Sequence, residues 1–198
     1  MSAGPTPHGP GTEDGGDADR AELHRMLAER SFRWGDFTLS SGRRSDYFFD
    51  AKQVTLDGRG LALVASMMLS RCRRLGVTAV AGDDGVGPLL GAVTALSTRD
   101  GGTPLHAFMV RKAAKEHGTA AKVAGPAPLP GERVVLVEDV VTSGESLIRA
   151  ASALAPSGVE VVEALVVVDR EEGGEAALRD HDLPLHALYR RSQFPAPG

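Results

Sequence analysis

Four apolar runs, most of them rich in valine, constrain this chain more than any other feature: VTAVAG (77–82), PLHAFMV (104–110), RVVLVED (133–139) and VEVVEALVVVD (159–169). Each is nearly continuously apolar rather than alternating, which predicts a strand buried on both faces. Helix-like stretches fall between them at about 88–98 and 145–155. Buried strands alternating with helices predict an α/β protein whose central, mostly parallel sheet is flanked by helices. Ligands of such sheets bind beyond the carboxyl ends of the strands. The residues that follow each run are therefore where chemistry is expected.

The rest of the chain fits one domain around that sheet. A helix is predicted from a cap at Asp19 to about Arg30, with Leu23, Met26 and Leu27 on one face. Residues 36–50 read as a strand, a glycine–serine turn and a second strand, and Gly60 to Leu75 as a helix that buries Cys72. Residues 1–19 hold five glycines and three prolines and little that is apolar. They are expected to be a disordered tail, because such a segment buries too little surface to offset its ordering entropy. Residues 194–198 (FPAPG) read as a second, short tail, leaving 20–193 as the folded domain.

Composition excludes several classes. A net charge of −4 gives no general attraction to nucleic acid or anionic membranes. A single cysteine excludes an internal disulfide framework and a cysteine-rich zinc site. No apolar run reaches membrane-spanning length, and the N-terminal residues carry no secretory pattern, so a cytoplasmic protein is expected.

The third run leads into VVLVEDVVTSGES (134–146). A strand there delivers two adjacent carboxylates, Glu138 and Asp139, followed by Thr142, Ser143 and Gly144 and then a helix. Unpaired N–H groups and the macrodipole make a helix N-terminus a phosphate site. Gly144 lets the backbone approach closely, while Thr142, Ser143 and Ser146 can add hydroxyl donors. Carboxylates beside a phosphate repel it, unless they accept hydrogen bonds from sugar hydroxyls or help organise magnesium. That chemistry suits a phosphorylated sugar. The residues alone equally allow an acidic strand end with Ser143 as a helix cap.

After the second run comes a basic segment. Arg111, Lys112, Lys115 and Lys122 stand against Glu116, with His117 and Gly118 between them. Such a loop can close over pyrophosphate and stabilise its charge as it leaves; by residues alone it is also an ordinary solvated surface loop. The segment 37–50 carries Tyr47, Phe48 and Phe49, rings able to stack on a base or to pack the core. Arg170 ends the fourth run, where a guanidinium can either pair with a planar carboxylate or lie on the surface.

Taken together and in order, these stretches resemble the type I phosphoribosyltransferases, and among them the orotate phosphoribosyltransferases. Residues 134–146 are similar to the superfamily's phosphoribosyl pyrophosphate signature: apolar residues, two acids, two apolar residues, threonine, a small residue, glycine. R-K-x-x-K-x-H-G (111–118) resembles the family's mobile catalytic loop, which reaches into the neighbouring subunit. F-x-L-x-S-G-x-x-S-x-Y (37–47) resembles the hood over the base, and D-R-x-x-G (169–173) the base-binding loop. The resemblance implies the type I phosphoribosyltransferase fold, with a small N-terminal hood at about 20–50. It implies that Glu138 and Asp139 hold the ribose hydroxyls, while Thr142, Ser143, Gly144, Glu145 and Ser146 hold the 5′-phosphate. Lys115 and His117 would act on pyrophosphate, with Asp139 the third catalytic group. Arg111 and Lys112 would contact pyrophosphate from the interface of a homodimer with shared sites. Ser41 and Gly42 would read the edge of the base, Phe48 or Phe49 would stack on it, and Arg170 would pair with the carboxylate of orotate. Magnesium would accompany phosphoribosyl pyrophosphate. Some family members carry lysine where this chain has Ser40.

One stretch departs from the pattern. G-D-D-G-V-G (82–87) follows the first run where the family holds pyrophosphate through backbone amides, and Asp83 and Asp84 bring two negative charges there. A pair of like charges about 6 Å apart repels by roughly 3 kcal/mol at an effective dielectric of about 20. Two readings compete: aspartates facing magnesium or solvent with catalysis intact, or impaired pyrophosphate binding in a specialised or inactive paralogue. Alternatives are thus a phosphoribosyltransferase for another base and a non-catalytic regulatory protein that binds phosphoribosyl pyrophosphate.

Overall fold

The computed structural model describes residues 16–38, 44–99, 102–111, 123–194 and 196. The described residues open with helix α1 (Asp17–Arg30), with Gly16 at its N-cap position. The helix therefore starts inside the segment expected to be a tail. Asp19 is not its cap but lies with Asp17 in the first turn, where carboxylates face the positive end of the helix dipole. Strands β1 (Phe32–Thr38) and β2 (Arg44–Phe49) pair antiparallel as expected, with Phe32 opposite Phe49 and Trp34 opposite Tyr47, but β1 begins at Phe32, ahead of the expected start at 36.

Helices α2 (Lys52–Thr55) and α3 (Gly58–Leu75) follow. The Asp57 side chain caps α3, accepting from the N–H groups of Arg59 and Gly60. Strand β3 (Ala79–Asp83), helix α4 (Gly87–Ser97), strand β4 (His106–Val110) and the short strand β5 (Val123–Ala124) come next. Then β6 (Arg133–Val141), α5 (Glu145–Leu154), β7 (Glu160–Asp169), α6 (Gly174–Arg179) and β8 (Leu185–Arg190) complete the described order.

Among the described residues the main sheet runs β5-β4-β3-β6-β7-β8, parallel except for β5. The four apolar runs are its four central strands. Val134 to Val137 show why they lack alternation: all four are fully buried. Val135 and Val137 face the layer built by α1, α3 and α4, which includes Cys72, whose thiol burial pushes up to about 12. Val134 and Leu136 face α5 and α6. No described helix is long and apolar enough to cross a membrane.

The chain steps from β3 outward to β4, then returns across the sheet to β6 on the other side of β3. That reversal opens a crevice at the carboxyl ends of β3 and β6, the usual binding place in an open α/β sheet.

The C-terminal end departs from expectation. Phe194, expected to begin a tail, is buried, with its ring stacked 4.5 Å from that of His24 on α1 and 4.7 Å from that of Phe32 on β1. Three aromatic rings bury enough surface to hold a residue that follows a polar turn.

Candidate active site

The sheet sets four chain segments side by side along one edge. Register places Asp83 of β3 opposite Val110 of β4, next to Arg111, while Val141 of β6 lies opposite Asp169 of β7, next to Arg170. Strand β6 continues two residues beyond the acids, so Glu138 and Asp139 belong to the ladder instead of following it.

Glu138 is buried, and its carboxyl is pushed up to about 7 by that burial first, then by the charges of Asp139 and Asp83. The Ser146 hydroxyl, hydrogen-bonded to Glu138, pulls the other way. Asp139 is also raised by burial, opposed chiefly by the Lys52 ammonium. Two half-desolvated neighbouring carboxyls at a crevice form a site that favours hydroxyl donors or a cation.

Beyond them Gly144 takes a left-handed conformation (φ 82°) that favours glycine and starts α5, where no side chain caps the helix. The N–H groups of its first turn remain available to an anion. Thr142 is half-buried and Ser143 and Glu145 are exposed at that mouth. Ser146 is turned instead toward Glu138.

The glycine–aspartate stretch after β3 has a definite geometry. Asp83 Oδ1 accepts the Gly85 N–H at 2.8 Å and caps a single turn over Asp84–Val86, while Asp84 is exposed. Of the two readings, solvent takes Asp84, whereas Asp83 is folded onto its own turn and adds its charge to Glu138. Gly82 is required by packing: a Cβ there would clash with Val86 Cγ2 and lie 2.6 Å from the carbonyl oxygen of Val137. Gly82→Ala is expected to cost about 2 kcal/mol by overpacking, lowering the thermal midpoint by roughly 4–8 °C. An unchanged midpoint in a thermal melt would contradict this.

Lys52, on α2, was not singled out by sequence reasoning. It lines a small cavity with Gly85, Val86, Pro88 and Asp139, beside both the acid pair and the aspartate turn. An exposed lysine on a four-residue helix carries no signal in sequence.

Arg170 lies against the hairpin. Its Nε donates to the Tyr47 hydroxyl at 3.0 Å, and its guanidinium carbon is 4.9 Å from the Tyr47 ring centre. Its Nη2 lies 2.7 Å from Glu172 Oε1, so in this state a carboxylate of the chain itself stands beside the arginine. Phe48 and Phe49 point to opposite faces of β2: Phe49 packs against Phe32 in the core, and Phe48 is exposed beside Phe37. Ser41, Gly42, Lys112, Lys115 and His117 lie outside the described residues.

The phosphoribosyl transferase domain family matches residues 90–182, a span that takes in the acid pair and the uncapped helix start at the sheet's reversal. The orotate phosphoribosyltransferase of Rhodopseudomonas palustris (strain BisB5) is 42% identical over 181 residues, covering 89% of this chain and 96% of that protein. The chain belongs to the orotate phosphoribosyltransferase family. The crystal structure of Mycobacterium tuberculosis H37Rv orotate phosphoribosyltransferase in complex with Fe(III) dicitrate superposes with a TM-score of 0.76 at 34% identity, covering 89% of this chain and 98% of that one. The complex of the same enzyme with 5-phospho-alpha-D-ribosyl 1-diphosphate gives 0.72 at 31% identity, with the same two coverages.

Proposed function

We propose that this chain transfers the 5-phosphoribosyl group from phosphoribosyl pyrophosphate to orotate, giving orotidine 5′-monophosphate and pyrophosphate. The observation that carries the reading is the acid pair Glu138–Asp139 leading into the uncapped start of α5 at Gly144. The helix start, with Thr142, Ser143, Gly144 and Glu145 around it, takes the 5′-phosphate through backbone N–H groups. Glu138 and Asp139 accept hydrogen bonds from the ribose hydroxyls. As the bond from the anomeric carbon to pyrophosphate breaks, positive charge develops on the sugar ring, and a nearby carboxylate stabilises it. The leaving pyrophosphate is neutralised by cations: Arg111 from the end of β4, Lys52 beside Asp139, and the Lys112, Lys115 and His117 segment. No nucleophilic side chain takes part; positioning and electrostatics do the work.

Magnesium fits this site as a companion of the substrate. Among the described residues no cluster of three acidic, histidine or cysteine side chains could cage a metal ion. Glu138 and Asp139 together make the one- or two-carboxylate set that magnesium uses alongside substrate phosphates. When bound, the ion would supply positive charge against the phosphates of the substrate, with Glu138 and Asp139 as the carboxylates that would hold it.

The hairpin serves as the hood over the base. Phe48, exposed on β2, is the ring free to stack, and Phe49 supports the hood from the core. Arg170 receives the carboxylate of orotate, exchanging the Glu172 carboxylate for that of the substrate. The family's loop geometry further implies a homodimer in which 111–122 completes the neighbouring subunit's site.

Loss of orotate's ultraviolet absorbance, with magnesium and phosphoribosyl pyrophosphate, tests the reading. Wild type is expected to consume orotate in preference to uracil or purines. Arg170→Met is expected to raise the orotate KM about a hundredfold, since removing one partner of a buried charge pair costs about 3 kcal/mol. Preference for another base would overturn the choice of orotate. Tight phosphoribosyl pyrophosphate binding without turnover of any base would favour the regulatory reading that Asp83 motivates.

A further inference from the structure

We propose that Arg191 is a positioning residue for base recognition, holding Tyr47, and through its hydroxyl Arg170, in place. The proposal rests on the reading of Arg170 as the receiver of the base's carboxylate. Arg191 opens the single turn Arg191–Gln193 that follows β8. Its guanidinium carbon is 4.6 Å from the ring centres of both Trp34 and Tyr47, the cross-strand pair of the hairpin, and 5.9 Å from that of Phe32. Its Nη1 donates to the carbonyl oxygen of Phe194 at 2.9 Å. Its Nε is buried with no hydrogen-bond partner among the described residues.

A cation seated on aromatic rings without a carboxylate beside it keeps its charge in the local field. Tyr47 passes the contact onward: its hydroxyl accepts from Arg170 Nε and donates to Glu172 Oε1 at 3.1 Å. Burial raises the Tyr47 hydroxyl above its ordinary range, so the phenol stays protonated and keeps both bonds. Arg170 and Glu172 cancel as a pair, while Glu171 is held by the N–H and hydroxyl of Ser192 in the same turn as Arg191. Arg191 therefore fixes the Tyr47 ring from one side while the Tyr47 hydroxyl fixes Arg170 on the other, so the guanidinium that meets the base is held in place through Tyr47.

Arg191→Met keeps the length and apolar contact and removes the charge; Arg191→Lys keeps the charge; Tyr47→Phe removes the hydroxyl link. Steady-state kinetics on the full chain, with thermal midpoints, separate the roles. Arg191→Met is expected to raise the orotate KM about tenfold, or about 1.4 kcal/mol. The KM for phosphoribosyl pyrophosphate and kcat should stay within about twofold of wild type, a split that differential binding at the base alone produces. Arg191→Lys should recover most of the loss, and Tyr47→Phe should raise the orotate KM in the same direction. An unchanged orotate KM in Arg191→Met, beside a wild type and an Arg170→Met that behave as described above, would overturn the proposal while leaving the base reading intact. A fall in thermal midpoint with both KM values moving together would mean a structural role only. An orotate KM insensitive to Arg170→Met would sink the base reading, and this proposal with it.

Discussion

Asp139→Asn is expected to lower kcat/KM about a thousandfold, roughly 4 kcal/mol of transition-state stabilisation, and at the same time to leave the thermal midpoint unchanged or higher. Both halves follow from the acid pair. The amide keeps the shape of the side chain but loses the charge that faces the developing positive sugar ring and weakens the bond to the ribose hydroxyl. Stability moves the other way because the native pair is costly to hold. Burial raises the carboxyls of both Glu138 and Asp139, and the Asp139 charge raises Glu138 further. Neutralising Asp139 relieves Glu138, which is the pattern of a site where activity and stability oppose each other. Initial-rate kinetics and thermal melts on the same preparation check both. Near-normal turnover would remove Asp139 from the mechanism, and a strongly lowered midpoint would show that the carboxylate holds the fold.

Lys115→Ala is expected to lower kcat about a hundredfold or more, since the cation offsets charge growing on the departing pyrophosphate. Its thermal midpoint is expected to stay at the wild-type value, because by sequence the segment reads as a charge-rich, solvated loop. The proposed shared-site dimer adds a sharper outcome. Mixing Lys115→Ala with Asp139→Asn under subunit exchange builds hybrids in which one site combines an intact acid pair with an intact loop. Random pairing makes half the dimers hybrid with one restored site each, so about a quarter of wild-type activity should return. No recovery, with exchange shown by a mass-tagged subunit, would mean that each site is complete within one chain.

Much of the fold could be read from sequence because the central strands are buried on both faces and so lack the alternation of exposed strands. Strand β8 could not: LHALYR lies at the sheet's edge, and only Leu188 and Tyr189 are buried. The start of α1 was misplaced because acidic residues after glycines suit a solvated tail as well as a first turn. The acid pair and helix start were legible as a contiguous pattern, since chemistry and spacing sit within 13 residues there. The turn at Asp83 was legible in principle, as aspartate two residues before glycine is a familiar local hydrogen bond. Contacts that join distant stretches were not. Nothing local shows that Glu172 stands beside Arg170, that Lys52 faces Asp139, or that Arg191 lies on Trp34 and Tyr47. These pairings exist only once the sheet brings the segments together.

The burial of Phe194 against α1 and the hairpin has a consequence for the order in which the molecule is built. Arg20 Nη2 donates to the Leu188 carbonyl and the Tyr189 hydroxyl to the Arg20 carbonyl, so the first helix is tied to the last strand across nearly the whole chain. Contacts of such long sequence separation close late, after the loops between them have been ordered. During synthesis the segments from β3 to α5 can assemble from near neighbours while later residues are still emerging, whereas the hairpin is packed only once the final turn is made. On the proposed reading of the site, the pocket for the sugar phosphate is expected to form before the pocket for the base.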